Sequence, residues 1–223
     1  MIVQNRSECS SPVSDCLLCP RLAAFRHASR RKEPSWFNSP VPSWGDDIDA
    51  HLLIVGLAPG LRGANRTGRP FTGDHAGFLL YETLARHGFT TGTFAADAHD
   101  GLRLIECRIT NAVRCVPPQN KPTPAEITQC RRFLEAEIVR LARLACIVAL
   151  GHVAHEAVVR ACGQRLALMP FGHGAVHRVE TPQGKVFNLV DSYHCSRYNT
   201  NTGVLTTAMF DQVFVSVRKL LAK

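Results

Sequence analysis

Short apolar runs alternate with longer amphipathic segments along most of this chain, and that alternation restricts the fold more than any other feature. Apolar runs of about four to eight residues between turn signals predict buried strands, whereas apolar residues spaced three and four apart predict helices. The predicted strands are 51–55, 104–110 and 146–151, with a hairpin at 174–194, and the predicted helices are 75–88, 123–145, 152–163 and 205–223. We therefore expect an α/β fold with three layers, α/β/α, around a mostly parallel sheet.

The chain of 223 residues is long enough for one sizeable core, so we expect a single domain over 1–223 with residues 1–14 as a mobile tail. Lysine and arginine outnumber aspartate and glutamate by 26 to 18. That excess favours a polyanionic partner, because neutralised phosphates release counterions, although a merely basic protein is the alternative.

Targeting signals are missing from the sequence. No apolar run approaches the roughly 20 residues of a membrane helix. The N-terminus lacks the basic start and apolar stretch of a signal peptide. We expect a cytoplasmic protein that does not contact a membrane.

Four of the nine cysteines have spacing that suits metal ligands. Cys16 and Cys19 form a C-x-x-C motif, and Cys115 and Cys130 lie on either side of a proline-rich stretch. Four thiolates suit either zinc or a 4Fe–4S cluster, and the spacing leaves both open, along with unrelated buried cysteines. Three further cysteines fall in strand or helix patterns and are expected in the core: Cys107, Cys146 and Cys162.

Three loops are candidate sites, because ligands bind at the carboxyl ends of parallel strands. They follow Val55, Thr110 and Tyr193. The second loop begins with Asn111, whose amide both donates and accepts hydrogen bonds. The third loop offers several polar side chains: His194, Ser196, Tyr198 and Asn199.

The first loop, GLAPGLRG, matches neither a dinucleotide fingerprint nor a P-loop. Its glycines still allow backbone N–H groups to approach a ligand closely. Farther along, Phe71 offers a stacking platform for a planar base, and Arg66 and Arg69 could hold phosphates. Asp74 is a candidate acid or base and also a candidate N-cap of the next helix.

Five motifs occur in order together with the four cysteines: GLAPG, NRTGRPFTGD, ITNAVRCVPPQNKPTP, FGHGAVHRV and YHCSRYNTNTGVLT. The set resembles the family 5 uracil-DNA glycosylases, from about Cys16 to the last helix. The resemblance implies a uracil-DNA glycosylase-like fold and a DNA glycosylase. We expect this enzyme to be monofunctional and, because one chain suffices for the chemistry, to act as a monomer. Such an enzyme flips uracil, and other deaminated bases such as hypoxanthine or xanthine, out of DNA and hydrolyses the N-glycosidic bond.

The resemblance also implies roles for individual residues. The four cysteines would hold a structural 4Fe–4S cluster, which decides against zinc. The expected catalytic residues are Asp74, Asn111 and His194. Phe71 would stack on the flipped base and Asn199 would support the last loop, with the first loop close to the base through Gly56, Leu57, Ala58, Pro59 and Gly60. The candidate DNA contacts are Arg66, Arg69, Arg197 and Tyr198, with the basic run Arg30, Arg31 and Lys32.

Two departures from the family pattern accompany these expectations. Leu57 and Ala58 occupy the first motif, where most superfamily members carry a polar or acidic residue that activates water, so Asp74 is the expected substitute. Cys195 stands where the family motif commonly has proline, which loosens the backbone after His194. Two alternative functions remain open from the residues alone, a non-catalytic iron–sulfur module that binds DNA and a zinc-stabilised protein that binds RNA.

Overall fold

The computed structural model describes residues 11–222. Most of the predicted tail, with Cys9, lies outside the described residues. Its last part is held in place, because the carbonyl of Ser14 accepts a hydrogen bond of 3.1 Å from the Arg30 guanidinium.

A six-stranded sheet lies at the centre, in the order β1-β5-β2-β6-β8-β7. The strands are β1 (Trp44–Gly45), β2 (Leu52–Gly56), β5 (Cys107–Asn111), β6 (Cys146–Leu150), β7 (Val176–Glu180) and β8 (Val186–Ser192), and β3 (Thr90–Thr91) pairs with β4 (Arg103–Leu104) in a separate ribbon. The four central strands are parallel, and the edge strands β1 and β7 are antiparallel.

Helices cover both faces of the sheet. They are α1 (Pro20–Lys32), α2 (Ala64–Thr67), α3 (His75–Arg86), α4 (Pro124–Arg140), α5 (His152–Ala161), α6 (Arg197–Asn201) and α7 (Thr207–Leu221). Alternate residues of β2 point to opposite faces, as the pleat of a strand requires. Leu52 and Ile54 pack under α3 and α7, whereas Leu53 and Val55 pack under α4 and α5. The predicted three-layer α/β/α arrangement is confirmed.

Most predicted elements are confirmed, and the differences have local causes. The second predicted strand is broken at Glu106, whose φ of 51° is left-handed, so Arg103–Leu104 pairs with β3 instead of extending β5. Helix α4 ends at Arg140 rather than Ala145. The Lys185 ammonium donates to the carbonyls of Ile138, Val139 and Leu141 near that end of α4.

The parallel register brings the predicted site loops to one edge of the sheet. The last residue of β2, Gly56, lies opposite the last residue of β5, Asn111, and Leu150 of β6 lies opposite Ser192 of β8. The loops that follow these strands therefore leave the sheet side by side. Within residues 11–222 no helix is both long enough and apolar enough to cross a membrane.

Candidate active site

A cleft of about 360 Å³ opens at the carboxyl ends of the central strands. It brings together most of the residues that the sequence singled out: Leu57, Ala58, Pro59, Gly60, Phe71, Asp74, Asn111, His194, Ser196 and Arg197. Four other lining residues were not predicted: Ala64, His75, Ala76 and Asn120. A space of this size is far larger than the roughly 10–15 Å³ that one water needs.

Two glycines make the floor of the cleft possible. A Cβ on Gly56 would lie 2.5 Å from Oδ1 of Asn111 and 2.6 Å from Cζ of Phe71, so only glycine admits both side chains. A Cβ on Gly77 would lie 1.9 Å from the carbonyl oxygen of Phe71. Phe71 itself has a left-handed φ of 52°, which is rare for a bulky residue and is held here by tight packing.

Asp74 is the N-cap of α3, as expected from the sequence, and it also lines the cleft. As the N-cap of α3, its Oδ1 accepts a hydrogen bond of 3.3 Å from the Gly77 N–H. Its Oδ2 lies against the first loop, where a Cβ on Gly63 would come within 2.5 Å of it. Burial raises the pKa of Asp74 above its ordinary value, although hydrogen bonds from the Gly77 and Ala76 amides offset part of that effect.

His194 lines the other side of the cleft as a neutral imidazole. Burial lowers its pKa to about 4, so the ring is uncharged at neutral pH and keeps one N–H donor. The ring stacks near Phe71, with the two centroids 6.1 Å apart and the planes inclined by 29°. The Asn199 amide donates a hydrogen bond of 2.8 Å to the His194 carbonyl, which holds this loop in place.

Two of the unpredicted residues are polar groups from other parts of the chain. Asn120 follows Gln119, and both have left-handed φ angles, 56° and 55°. The run of prolines around Asn120 is the only sequence signal for that turn. His75 lies at the start of α3, and its Nε2 is 3.3 Å from Oγ1 of Thr200, so it links α3 with α6.

The prediction that Arg69 contacts DNA is wrong. Its side chain is only 4% exposed, and its guanidinium donates two hydrogen bonds of 2.7 Å to the Asp100 carboxylate. The guanidinium also lies 4.8 Å from the centre of the Trp44 ring. Its buried partner lies 31 positions away along the chain, so the local sequence gave no sign of this pairing. The other predicted contacts, Arg66, Arg197 and Tyr198, are exposed.

The four predicted ligand cysteines line one small pocket, although they come from three separate segments. Cys19 is the N-cap of α1, Cys115 lies in the loop after β5, and Cys130 lies in α4. The Arg26 guanidinium donates to Sγ of Cys115 at 3.5 Å, and the Arg114 amide donates to Sγ of Cys130 at 3.3 Å. Burial raises the pKa of Cys115 to about 11 and that of Cys130 to about 12.

The N–H groups of Arg26 and Arg114 that donate to the cysteine sulfurs suit a buried group that carries negative charge. Arg114, which also lines the pocket, is 1% exposed; its guanidinium lies 3.8 Å from the buried Glu137 carboxylate and has no closer polar partner among the described residues. Thiols in such a buried place ionise only if a cation compensates for their charge. Four buried thiols, two of which accept N–H hydrogen bonds at sulfur, therefore fit a metal centre bound by thiolates.

Comparison with known proteins places the chain in a family. Residues 42–218 match the family model described as the uracil DNA glycosylase superfamily. The chain is 44% identical over 211 residues to the type-5 uracil-DNA glycosylase of Thermus thermophilus, covering 92% of this chain and 93% of that protein. It is 43% identical over 222 residues to the type-5 uracil-DNA glycosylase of Mycobacterium tuberculosis (96% and 81% covered), and 38% identical over 203 residues to that of Pyrobaculum aerophilum (89% and 86% covered).

The chain therefore belongs to the uracil DNA glycosylase superfamily. The relatives just described are all named type-5 enzymes, which confirms the resemblance that the motifs indicated.

We expect Asp100→Asn to lower the free energy of unfolding by about 3–5 kcal/mol, because it leaves the buried Arg69 without its counter-charge. A matched control is Asp211→Asn, which removes a half-exposed ion pair with Arg86 and should change that free energy by less than about 1 kcal/mol. Urea unfolding at neutral pH measures both. Equal effects of the two substitutions would contradict the structural role of Arg69.

The same pair predicts a dependence on pH. Hydrogen bonds from Arg69 hold the pKa of Asp100 well below its usual range. The contribution of the ionised Asp100 to the free energy of unfolding is therefore complete well above its unfolded pKa of about 3.9. That contribution is lost as the pH falls from there through the lower pKa of the folded state. The difference in free energy of unfolding between wild type and Asp100→Asn, measured by urea unfolding, should therefore become smaller in strong acid.

Proposed function

We propose that this chain is a monofunctional uracil-DNA glycosylase. It binds uracil flipped out of DNA and hydrolyses the N-glycosidic bond, which releases the free base and leaves an abasic site. Family membership and the names of the relatives support this reaction. The observation that carries the proposal is the meeting of Phe71, Asn111 and His194 in one cleft beside Asp74.

Base binding follows from the shape and chemistry of that cleft. A base inside a duplex is stacked and paired, so it must leave the helix to be cut, at a cost of a few kcal/mol that is least for a mismatched pair. Phe71 offers an aromatic face to the flipped base. The amide of Asn111 both donates and accepts, so it pairs with the edge of a pyrimidine.

Bond cleavage is promoted by electrostatic stabilisation of the leaving base. Breaking the N-glycosidic bond leaves positive charge on the sugar and negative charge on the base. The neutral His194 ring donates its N–H to the base oxygen, together with backbone N–H groups in the first loop. Loss of one such donor typically lowers the rate by about 10²–10³-fold.

Asp74 supplies the negative charge on the sugar side. Its carboxylate orients the attacking water or offsets the charge of the oxocarbenium-like sugar. It takes this role because Leu57 and Ala58, in the first motif, offer no polar side chain. An apolar first motif also discriminates less between bases, so we propose weaker activity on hypoxanthine and xanthine.

The proposed DNA contacts are the exposed residues around the mouth of the cleft. Arg66 and Arg197 bind phosphates, and Tyr198, which is 74% exposed, enters the space that the flipped base has left. In the basic run that ends α1, Arg31 and Lys32 are exposed, whereas Arg30 is engaged by Asp15 and by the Asn38 carbonyl. The net charge of +8 supports binding to a polyanion.

A 4Fe–4S cluster is the group that we propose for the four cysteines. Among the described residues, three ligand atoms within 4.8 Å of one another occur only at His155, His177 and Asp191. No three of the four sulfurs therefore lie within 4.8 Å of one another, whereas all four would be about 4 Å apart around a single zinc ion. The cluster acts as a structural cross-link between α1, the loop after β5 and α4. We propose that the enzyme acts as a monomer, since every residue of this scheme comes from one chain.

The experiment that tests the function is single-turnover cleavage of a labelled duplex with one U·G pair, followed by alkali. Wild-type protein should give strand breakage at the uracil, and His194→Ala should react about 10²–10³-fold more slowly with little change in DNA affinity. His99→Ala, in an exposed loop outside the cleft, is the matched control and should react like wild type. Absence of breakage with protein that carries an intact cluster would favour a DNA-binding module without catalysis.

The role of Asp74 predicts an acid limb in the pH profile of the single-turnover rate. Because burial raises its pKa, the rate should rise with pH as the carboxyl group ionises. Asp74→Ala should react far more slowly and lose this limb. Equal turnover of U·G by Asp74→Ala and wild type would remove Asp74 from the mechanism.

The cluster predicts a colour and an iron content. Freshly purified protein should be brown, with a broad absorption band at roughly 400 nm and about four iron atoms per chain, as for a cluster bound by four thiolates. Cys115→Ser should lose the band and the iron, whereas Cys162→Ser, a core cysteine outside the pocket, should keep both. A colourless protein with one zinc ion per chain would contradict the proposal.

A further inference from the structure

Three titratable side chains form a buried group that the proposed mechanism does not use. Asp191, near the end of β8, is fully buried. Its Oδ1 lies 2.7 Å from Nδ1 of His155 on α5, and its Oδ2 lies 3.5 Å from Nε2 of His177 on β7. Oδ2 also accepts a hydrogen bond of 3.4 Å from the Gly172 N–H. Among the described residues, no lysine or arginine forms a hydrogen bond or ion pair with Asp191, and its shortest side-chain contact is with His155.

The contacts of His155 determine how many protons it carries. Its Nε2 lies 2.8 Å from the Met169 carbonyl oxygen, which can only accept a hydrogen bond. Its Nδ1 faces a carboxylate oxygen, which also accepts. An imidazolium, with a proton on both nitrogens, satisfies both contacts. Burial by itself would lower the pKa of His155, but the hydrogen bond and charge of Asp191, with smaller effects of the Met169 carbonyl and Glu156, raise it.

The same three side chains could in principle hold a metal ion, because their ligand atoms lie within 4.8 Å of one another. Zinc sits about 2.0–2.1 Å from nitrogen and oxygen ligands. Two ligands only 2.7 Å apart would then subtend about 80° at the metal, far below the tetrahedral angle. A shared proton fits the distance between His155 and Asp191 better than a metal ion does.

This pair joins β8 and α5, the strand and the helix that hold the backbone next to His194. Strand β8 ends at Ser192, two positions before His194, and the Ser192 carbonyl accepts a hydrogen bond of 2.7 Å from the N–H of Gly151. Gly151 is the N-cap of α5, and a Cβ there would lie 3.4 Å from Cβ of His194. In the first turn of α5, the His155 N–H donates to the Gly151 carbonyl at 3.0 Å. His194 therefore packs on the start of α5.

We propose that His155 and Asp191 are positioning residues: as a buried imidazolium–carboxylate pair they clamp the first turn of α5 to the end of β8 and thereby hold His194 against the flipped base. The inference rests on the proposed function of His194. The other titratable groups near the pair are His177 on β7 and Glu156 on α5, and the latter lies 3.8 Å from the exposed His152.

Breaking the pair should slow the chemical step more than it weakens binding. A catalytic group misplaced by about 1 Å can lose about 10²-fold in rate. We expect Asp191→Asn and His155→Gln each to lower the single-turnover rate about 10–100-fold at saturating enzyme. The dissociation constant for uncleaved DNA should stay within about threefold of wild type, because neither residue lies among the proposed DNA contacts.

A double variant distinguishes loss of the His155–Asp191 contact from the effect of leaving one of the two groups buried without its partner. In His155→Gln/Asp191→Asn, two neutral amides can hydrogen-bond to each other, and neither leaves a buried charge unpaired. The double variant should therefore react faster than either single variant. Asp211→Asn, which removes a partly exposed aspartate paired with His87 far from the cleft, is the matched control and should react like wild type. Circular dichroism checks that each variant is folded at the assay temperature.

Nitrogen-15 NMR of histidine-labelled wild type tests the charge without any risk of misfolding. Both ring nitrogens of His155 should be protonated at neutral pH, with its signals assigned by their absence from the His155→Gln spectrum. A neutral His155, or a stoichiometric metal ion bound at this site, would overturn the proposal. So would single variants that cleave U·G as fast as an active wild type. A wild type that cleaves no uracil would instead overturn the proposed function and leave the NMR result standing.

Discussion

The parallel register of four buried strands is the constraint on which the rest of the structure depends. It aligns the carboxyl ends of β2, β5, β6 and β8, so segments far apart in the sequence meet at one edge of the sheet. Gly56 lies opposite Asn111 in this register. That position requires glycine, because any larger residue would displace Asn111 and Phe71 from the floor of the cleft.

Charge is distributed differently in the cleft and in the protein around it. Outside the cleft, buried charges are compensated by close partners, as Arg69 is by Asp100. Inside the cleft, burial raises the pKa of Asp74 and lowers that of His194, and neither side chain has an ion-pair partner among the described residues. Groups held in this way can respond to charge that develops on the substrate. The buried cysteine pocket is a third environment, with N–H donors directed at sulfur.

The sequence predicted structure best where interactions between residues close together in the chain determine it. Hydrophobic periodicity predicted the central strands and the long helices. A local capping box of Thr123 and Glu126 fixes the start of α4. Prediction from the sequence failed where the role of a side chain depends on a partner far along the chain. Arg69 is the example, because its ion pair with Asp100 forms only in the folded protein. Asn120 was missed because a left-handed turn, rather than a strand end, brings it to the cleft.

The central claim is that a flipped uracil occupies the cleft between Phe71 and His194. The most direct measurement is a crystal structure with a duplex that carries a 2′-fluoro-substituted, uncleavable deoxyuridine opposite guanine. The uracil should lie outside the helix on the Phe71 ring, with its edge hydrogen-bonded to Asn111 and an oxygen to His194. A base that stays stacked in the duplex, or that binds elsewhere on the protein, would contradict this assignment.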